Sequence, residues 1–338
     1  FKDYLWFLNE NETPDNQIVF DKSFKNFDID NIILSHEDQS ISLAGVFKDT
    51  TIKDLKLSFK DVDLNQITPV NDKFIVQGNI NGEVNFKQNK DVYQPTASIV
   101  IDKLNVNKTD LGTLNFDIEG DESLRKFTIN SNLENENVDL FKADGSFEIV
   151  NKETILDLQL KFDKFNIATL NSLGGEVLSN IRGYISGNST IEGNLKKPNI
   201  SGRLYLDDAG ITIPYLNVDY GLSDNTIIDL TDEKFLFRNN TLTDTKYGTI
   251  GNLNGSIEHN NFTDWKLDLA INSKRLLALD TKDSEDAAYY GTAFIDGMAT
   301  IKGPTNSLFI KVEAKSEKGT AVKIPINNAE SVSDNIFI

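Results

Sequence analysis

YYGTAFIDGMATIKGPTNSLFIKVEAKSEKGTAVKIPI, Tyr289 to Ile326, is the stretch on which the fold turns. Apolar and polar residues alternate along it, a Gly-Pro pair breaks it, and it carries no His, no Cys and no acid-base pair. Alternation with a period of two marks a strand with one dry face and one wet face. Its first part also recurs. The template I-x-G-x-x-T-I-x-G fits ISGNSTIEG (Ile185–Gly193) and IDGMATIKG (Ile295–Gly303), and INGEVNFKQ from Ile80 is a looser copy. The central glycines Gly82, Gly187 and Gly297 recur at intervals of about 105 residues.

Two further landmarks keep the same order. LKLSFK (from Leu55), LDLQLK (from Leu156) and LDLAIN (from Leu267) precede the glycines; PTAS (from Pro95), PNIS (from Pro198) and PTNS (from Pro304) follow them. A period of this length exceeds the 20–50 residues of common solenoids and fits a group of several antiparallel strands instead. The modules fall at 1–150 (with upstream strands), 151–255 and 256–338, inside one continuous body, 1–338. Strand entry or a bulge is expected at the repeated glycine, and a turn or edge position at the proline.

Composition agrees with strands. Asn, Asp, Ile, Leu, Phe, Thr and Lys dominate, with one Met, and the absence of Cys excludes disulfides and thiolate metal sites. A net charge of −18 disfavours nucleic acid as a partner. No apolar run approaches the roughly 18 residues of a spanning helix. The first residue is Phe and no signal-peptide pattern follows, from which we expect an internal piece of a longer protein.

Helix is sparse. ATLNSLGGEVLSNI (168–181) places Leu170, Leu173, Val177, Leu178 and Ile181 at helical spacing; LNQITPVND (from Leu64) and SKRLLALDTKDSEDAAYY (from Ser273) hold the matching places in the other modules. Each is expected to be a short non-β insert. Such inserts cannot cover the apolar face of so many strands, which needs another layer or its own curvature. The expected fold is therefore all-β: a long antiparallel sheet curled into an elongated groove with a hydrophobic interior and a few short helical inserts. Tandem sandwiches stay open as an alternative.

The inward set of a curled sheet would be Leu55, Leu57 and Phe59; Val84 and Phe86; Leu156, Leu158, Leu160 and Phe162; and Leu267, Leu269 and Ile271. A dry groove suits acyl chains, since each methylene leaving water gains about 0.8 kcal/mol. An ordinary packed core would use the same residues. His36 and His259 stand apart in polar surroundings and read as surface residues, and neither Trp6 nor Trp265 has a visible aromatic partner. NFDIDN and DVDLN lack the glycine and closing glutamate of a calcium loop. No H-E-x-x-H, G-x-S-x-G or phosphate-binding loop occurs. The expectation is no enzyme, no metal and no cofactor.

ISGNSTIEGNLKKPNISGRLYLDDAGITIPYLNVDYGL (Ile185–Leu222), the YYGTAFIDG entry and the KGTAVKIPI close resemble the C-terminal region of TamB-family proteins, over about 183–326. Before that, only strand texture and period are similar. The resemblance implies a periplasmic β-groove of the bridge-like lipid-transfer group, anchored in the inner membrane by an N-terminal helix absent here. It implies phospholipid as cargo between inner and outer membranes, support of outer-membrane barrel assembly, and a TamA-type barrel protein as partner. It offers no catalytic residues. A structural or chaperone scaffold acting by strand addition, and an adhesin of tandem sandwiches, are the competing readings.

Overall fold

The computed structural model describes residues 4–10, 16–68, 75–173, 178–260, 263–283 and 289–325. Period-2 segments become strands throughout, joined in one antiparallel sheet of 21 strands. β1 (Phe7–Leu8) and β2 (Gln17–Phe20) pair with opposite ends of β3 (Asn26–His36). A meander then runs through β4 (Gln39–Lys48), β5 (Ile52–Asp63), β6 (Val76–Asn89), β7 (Val92–Val106), β8 (Thr109–Gly120), β9 (Lys126–Asn135) and β10 (Val138–Val150). It continues with β11 (Glu153–Asn166), β12 (Ser179–Asn194) and β13 (Asn199–Ile213). β14 (Val218–Leu222) and β15 (Thr226–Thr231) share one place between β13 and β16 (Lys234–Asp244). β17 (Ile250–Asn260), β18 (Thr263–Thr281) and β19 (Tyr290–Pro304) follow, and β20 (Phe309–Ser316) with β21 (Ala321–Lys323) lines the far side of β19. The ladder is unbroken from β2 to β20, so tandem sandwiches are ruled out.

Directly paired residues share a face, and the register therefore traces it. Leu57, Val84, Ala97, Ile118, Ile129, Gly145, Leu158, Ile191 and Ile200 form one row across nine strands. Phe162, Gly187, Leu204, Ile228, Phe237, Gly255, Leu269, Ile301 and Ile310 carry that face on to β20. The opposite face is charged. Lys56 meets Glu83, Arg203 meets Asp229 at 2.7 Å, and Lys302 meets Asp268 at 2.8 Å. Such exposed pairs add little stability; their effect is to keep the outer face wet.

Bulges bend the sheet. Register slips on β3 between Ile29 and Ile32, on β5 between Phe59 and Val62, and on β7 between Ile101 and Leu104. It slips again on β11 between Phe162 and Phe165, on β16 between Phe237 and Asn240, and on β18 between Ser273 and Leu276. Followed through the register, each bulge lies within two residue pairs of the row of the one before. A bulge bends its strand and increases local twist; a line of them creases the sheet lengthwise into two walls.

The repeated glycines belong to this crease. Gly82, Gly187 and Gly297 stand opposite Phe59, Phe162 and Ser273, the last paired residue before each bulge. At Gly187 the backbone has φ +131°, and a Cβ there would collide with the Arg203 carbonyl oxygen. The proline expectation divides. Pro198 and Pro304 stand at a turn and a strand end, but Pro95 lies within β7. β8 pairs from Thr96 onward and Tyr93 N–H donates to Glu122 O beyond the proline, so the missing N–H interrupts the ladder only at its end.

The inserts need correction. Leu64–Ile67 is one helical turn capped by Asp63, whose carboxylate accepts from Asn65 N at 2.9 Å; the rest of that expected insert, 69–72, lies outside the described residues. In the second module only Ile167–Leu173 is helical, as a 3-10 segment, and Ile181 is already in β12. Asn171 draws Ile181 into extended conformation, donating from Nδ2 to its carbonyl at 2.9 Å and accepting its N–H at 2.7 Å. Val177 lies outside the described residues. The third insert is strand as far as Thr281, because Leu276, Leu277 and Leu279 are buried against the sheet; residues 284–288 are outside the described residues.

Candidate functional site

All twelve expected lining residues lie on the apolar face of the sheet. Leu55 opposes Phe86, Leu57 opposes Val84, and Phe59 opposes Gly82. Leu156, Leu158, Leu160 and Phe162 alternate along β11, facing Phe147, Gly145, Ala143 and Phe141 of β10. Leu267, Leu269 and Ile271 oppose Gly303, Ile301 and Ala299. Eleven of the twelve are half-buried or exposed and only Leu267 is buried. A packed core would bury most of them.

Curvature brings distant strands together. Asn107, in the β7–β8 turn, donates to Thr169 O at 2.8 Å in the 3-10 segment after β11. Tyr220 Oη on β14 donates to Leu277 O on β18 at 2.6 Å, and burial pushes the Tyr220 hydroxyl well above its ordinary pKa.

Burial along the face is uneven. Leu104, Val106, Leu111 and Leu133 form one cluster with Ile101, Phe141 and Phe165, all at or beyond the bulge line. The other wall of that stretch, with Leu55, Leu57, Phe86, Leu156 and Leu158, is left half-covered. At β13 and β15 the pattern changes. Ile200, Leu204, Leu206, Ala209, Ile228 and Leu230 are buried together, with Phe162, Ile167, Ile185, Leu222 and Phe235 packed on them. A third cluster joins Val218, Tyr220, Leu242, Leu276, Leu277 and Phe294.

Some polar groups on the inner face sit at its margins, while Ser131 and the buried Ser189 lie within it. Near the hairpin rim, Lys53 Nζ donates to Gln88 Oε1 at 2.7 Å, and the buried Gln88 donates to Thr50 O, Lys90 O and Tyr93 Oη. Asp244 is fully buried but turns onto its own loop, accepting from the N–H groups of Lys246, Tyr247 and Thr249.

Two sequence expectations fail here. His259 is buried between Phe235 and Trp265, with ring centroids 5.3 Å from each, and desolvation lowers its pKa below 6.5. Trp265 stacks on Phe235 at 6.0 Å, while Trp6 lies 5.7 Å from a half-buried His36. Phe235, His259 and Trp265 stand on β16, β17 and β18, while Trp6 precedes β1 and His36 ends β3. Among the described residues, no group of three or more His, Cys, Asp or Glu could hold a metal ion. No described helix is long and apolar enough to cross a membrane.

Family comparisons bear on the whole chain. A family model described as TamB, N-terminal domain, matches residues 11–206, and one described as TamB C-terminal domain matches residues 238–338. The strand-turn-strand around Pro198, expected within the C-terminal region, thus falls at the end of the N-terminal match. No curated protein and no solved structure matches the chain.

Proposed function

Because the chain belongs to the TamB family of the translocation and assembly module, we propose that its creased sheet is a passive conduit for phospholipid acyl chains. One observation carries this reading: a single apolar face, continuous in register from β4 to β20, on which eleven of the twelve expected lining residues stay half-buried or exposed instead of closing into a core. Contiguous apolar surface of that extent calls for a partner. An acyl chain laid along it gains on the order of 10 kcal/mol relative to water while its head group stays wet at the rim. No bond is made or broken, so the protein is not an enzyme and direction is set by the donor and acceptor membranes. In the cell the conduit would lie in the periplasm between inner and outer membranes, anchored in the inner one, with a TamA-type barrel as outer-membrane partner and barrel assembly as a supported process.

The test is native mass spectrometry with lipid extraction of the purified chain beside a Leu158→Asp/Leu269→Asp variant. Phospholipid bound to the parent and lost from a still-folded variant is expected; a lipid-free parent would sink the reading. A scaffold role by strand addition has its own support in β20, an edge strand among the described residues, where Phe309, Ile310 and Val312 are all exposed. Under that reading alone, the Asp pair would leave function intact and changes in β20 would abolish it.

A further inference from the structure

We infer that the trough is not open along its whole length: the strands β13 and β15 form a constriction that bounds an acyl-chain compartment on the β4–β12 side. This rests on the conduit reading above and adds where cargo can and cannot sit.

The argument starts from the two walls on either side of the bulge line. Over β6–β11 the buried cluster around Leu104, Leu111 and Leu133 draws on residues at or beyond that line, and the facing wall is left half-covered. At β13 and β15 the cluster draws from both sides. Ile167, Ile185, Ala209 and Leu222 come from beyond the line, and Ile200, Leu230 and Phe235 from before it. The cluster therefore spans the crease from one wall to the other. Ile200 keeps 5% of its surface, Leu204 6%, Leu206 5% and Leu230 7%, against 37% for Val84 in the open stretch.

Side chains packed to that degree leave no room for a methyl group, because protein interiors pack as densely as organic crystals. A chain passing this point would have to separate Leu204 and Leu230 from their neighbours. Phe162, the last lining residue of β11, already packs against the closed cluster. Beyond it Leu269, Ile271 and Ile301 are half-buried again, and at the edge Ile310 and Val312 are exposed. In this conformation the C-terminal lip is thus a separate surface, cut off from the β4–β12 compartment.

Photo-crosslinking separates this inference from the reading it rests on. p-Benzoylphenylalanine would replace Leu57, Leu158, Leu204 or Leu230 singly in the 338-residue chain. Each protein would be irradiated with vesicles of fluorescent phosphatidylethanolamine, and circular dichroism would report folding. Adducts at 57 and 158 with loss to background at 204 and 230 are expected. A second variant, Leu204→Ala/Leu230→Ala with the crosslinker at position 228, should gain an adduct that the parent lacks. Equal adducts at all four positions would overturn the constriction and leave the conduit standing. Adducts at none would overturn both.

Discussion

At the scale of single residues, the informative positions are those that break the two-residue alternation or sit on it unexpectedly. His259 obeys the alternation, which is why it faces inward and is buried between Phe235 and Trp265. Its charged form is disfavoured by desolvation, with the weaker opposing pull of Glu233, so its folded pKa lies below 6.5. A base with a depressed folded pKa binds fewer protons when folded than when unfolded. Its contribution is whole above the unfolded value and declines as pH falls through 6.5 toward the folded pKa. Thermal melts of the parent should therefore drop on acidification across that window, and His259→Phe should flatten that part of the profile. An unchanged slope in the variant would assign the pH response elsewhere.

Elements are shaped here by a unit that spans two neighbouring strands. In three copies a polar residue followed by glycine organises a bulge in the strand before it. Asn81 Oδ1 accepts the Asp61 N–H at 2.8 Å, Ser186 Oγ accepts the Lys164 N–H at 3.0 Å, and Asn254 Oδ1 accepts the Asn239 N–H at 2.8 Å. Asp61, Lys164 and Asn239 are the left-handed residues of their bulges, with φ near +50°. The bulge removes these N–H groups from the ladder, and the side chain supplies the acceptor they lose. The glycine beside it provides room for close backbone approach. Gly187→Ala should cost about 1–3 kcal/mol, from a strained φ and a collision with backbone that cannot withdraw. Urea unfolding checks this, and a neutral result would mean that the crease tolerates a flatter local sheet.

Over the whole molecule, stability is distributed as the clusters are. The open stretch has one covered wall, β13 to β18 hold most of the buried aliphatics, and the outermost segments β1, β2 and β20 are exposed throughout. Amide exchange should follow that order, slowest in β13 and β15, intermediate in β5–β11, and fastest in β1, β2, β20 and β21. Uniform protection along the chain would show a single cooperative unit instead. The module period has a structural meaning on this scale. Counting β14 and β15 as one broken strand, the bulge and glycine pairs β5/β6, β11/β12 and β18/β19 recur every six strands.

Sequence by itself determined the strands and the face on which their side chains lie. Those follow from a period of two, which each segment carries locally and which antiparallel pairing transmits without change from neighbour to neighbour. It also marked the repeated glycines, whose backbone role is local. Tertiary structure alone decided what depends on residues meeting across many strands. The non-β reading of Ser273–Thr281 failed because burial of Leu276, Leu277 and Leu279 overrides local pattern. His259 and Trp265 found their partners only once β16, β17 and β18 lay side by side. Whether the apolar face stays open or shuts is likewise not local. Ile200 and Leu57 read alike as inward aliphatics, yet one is buried and the other half-exposed, because Ile200 belongs to a cluster that draws on both sides of the bulge line.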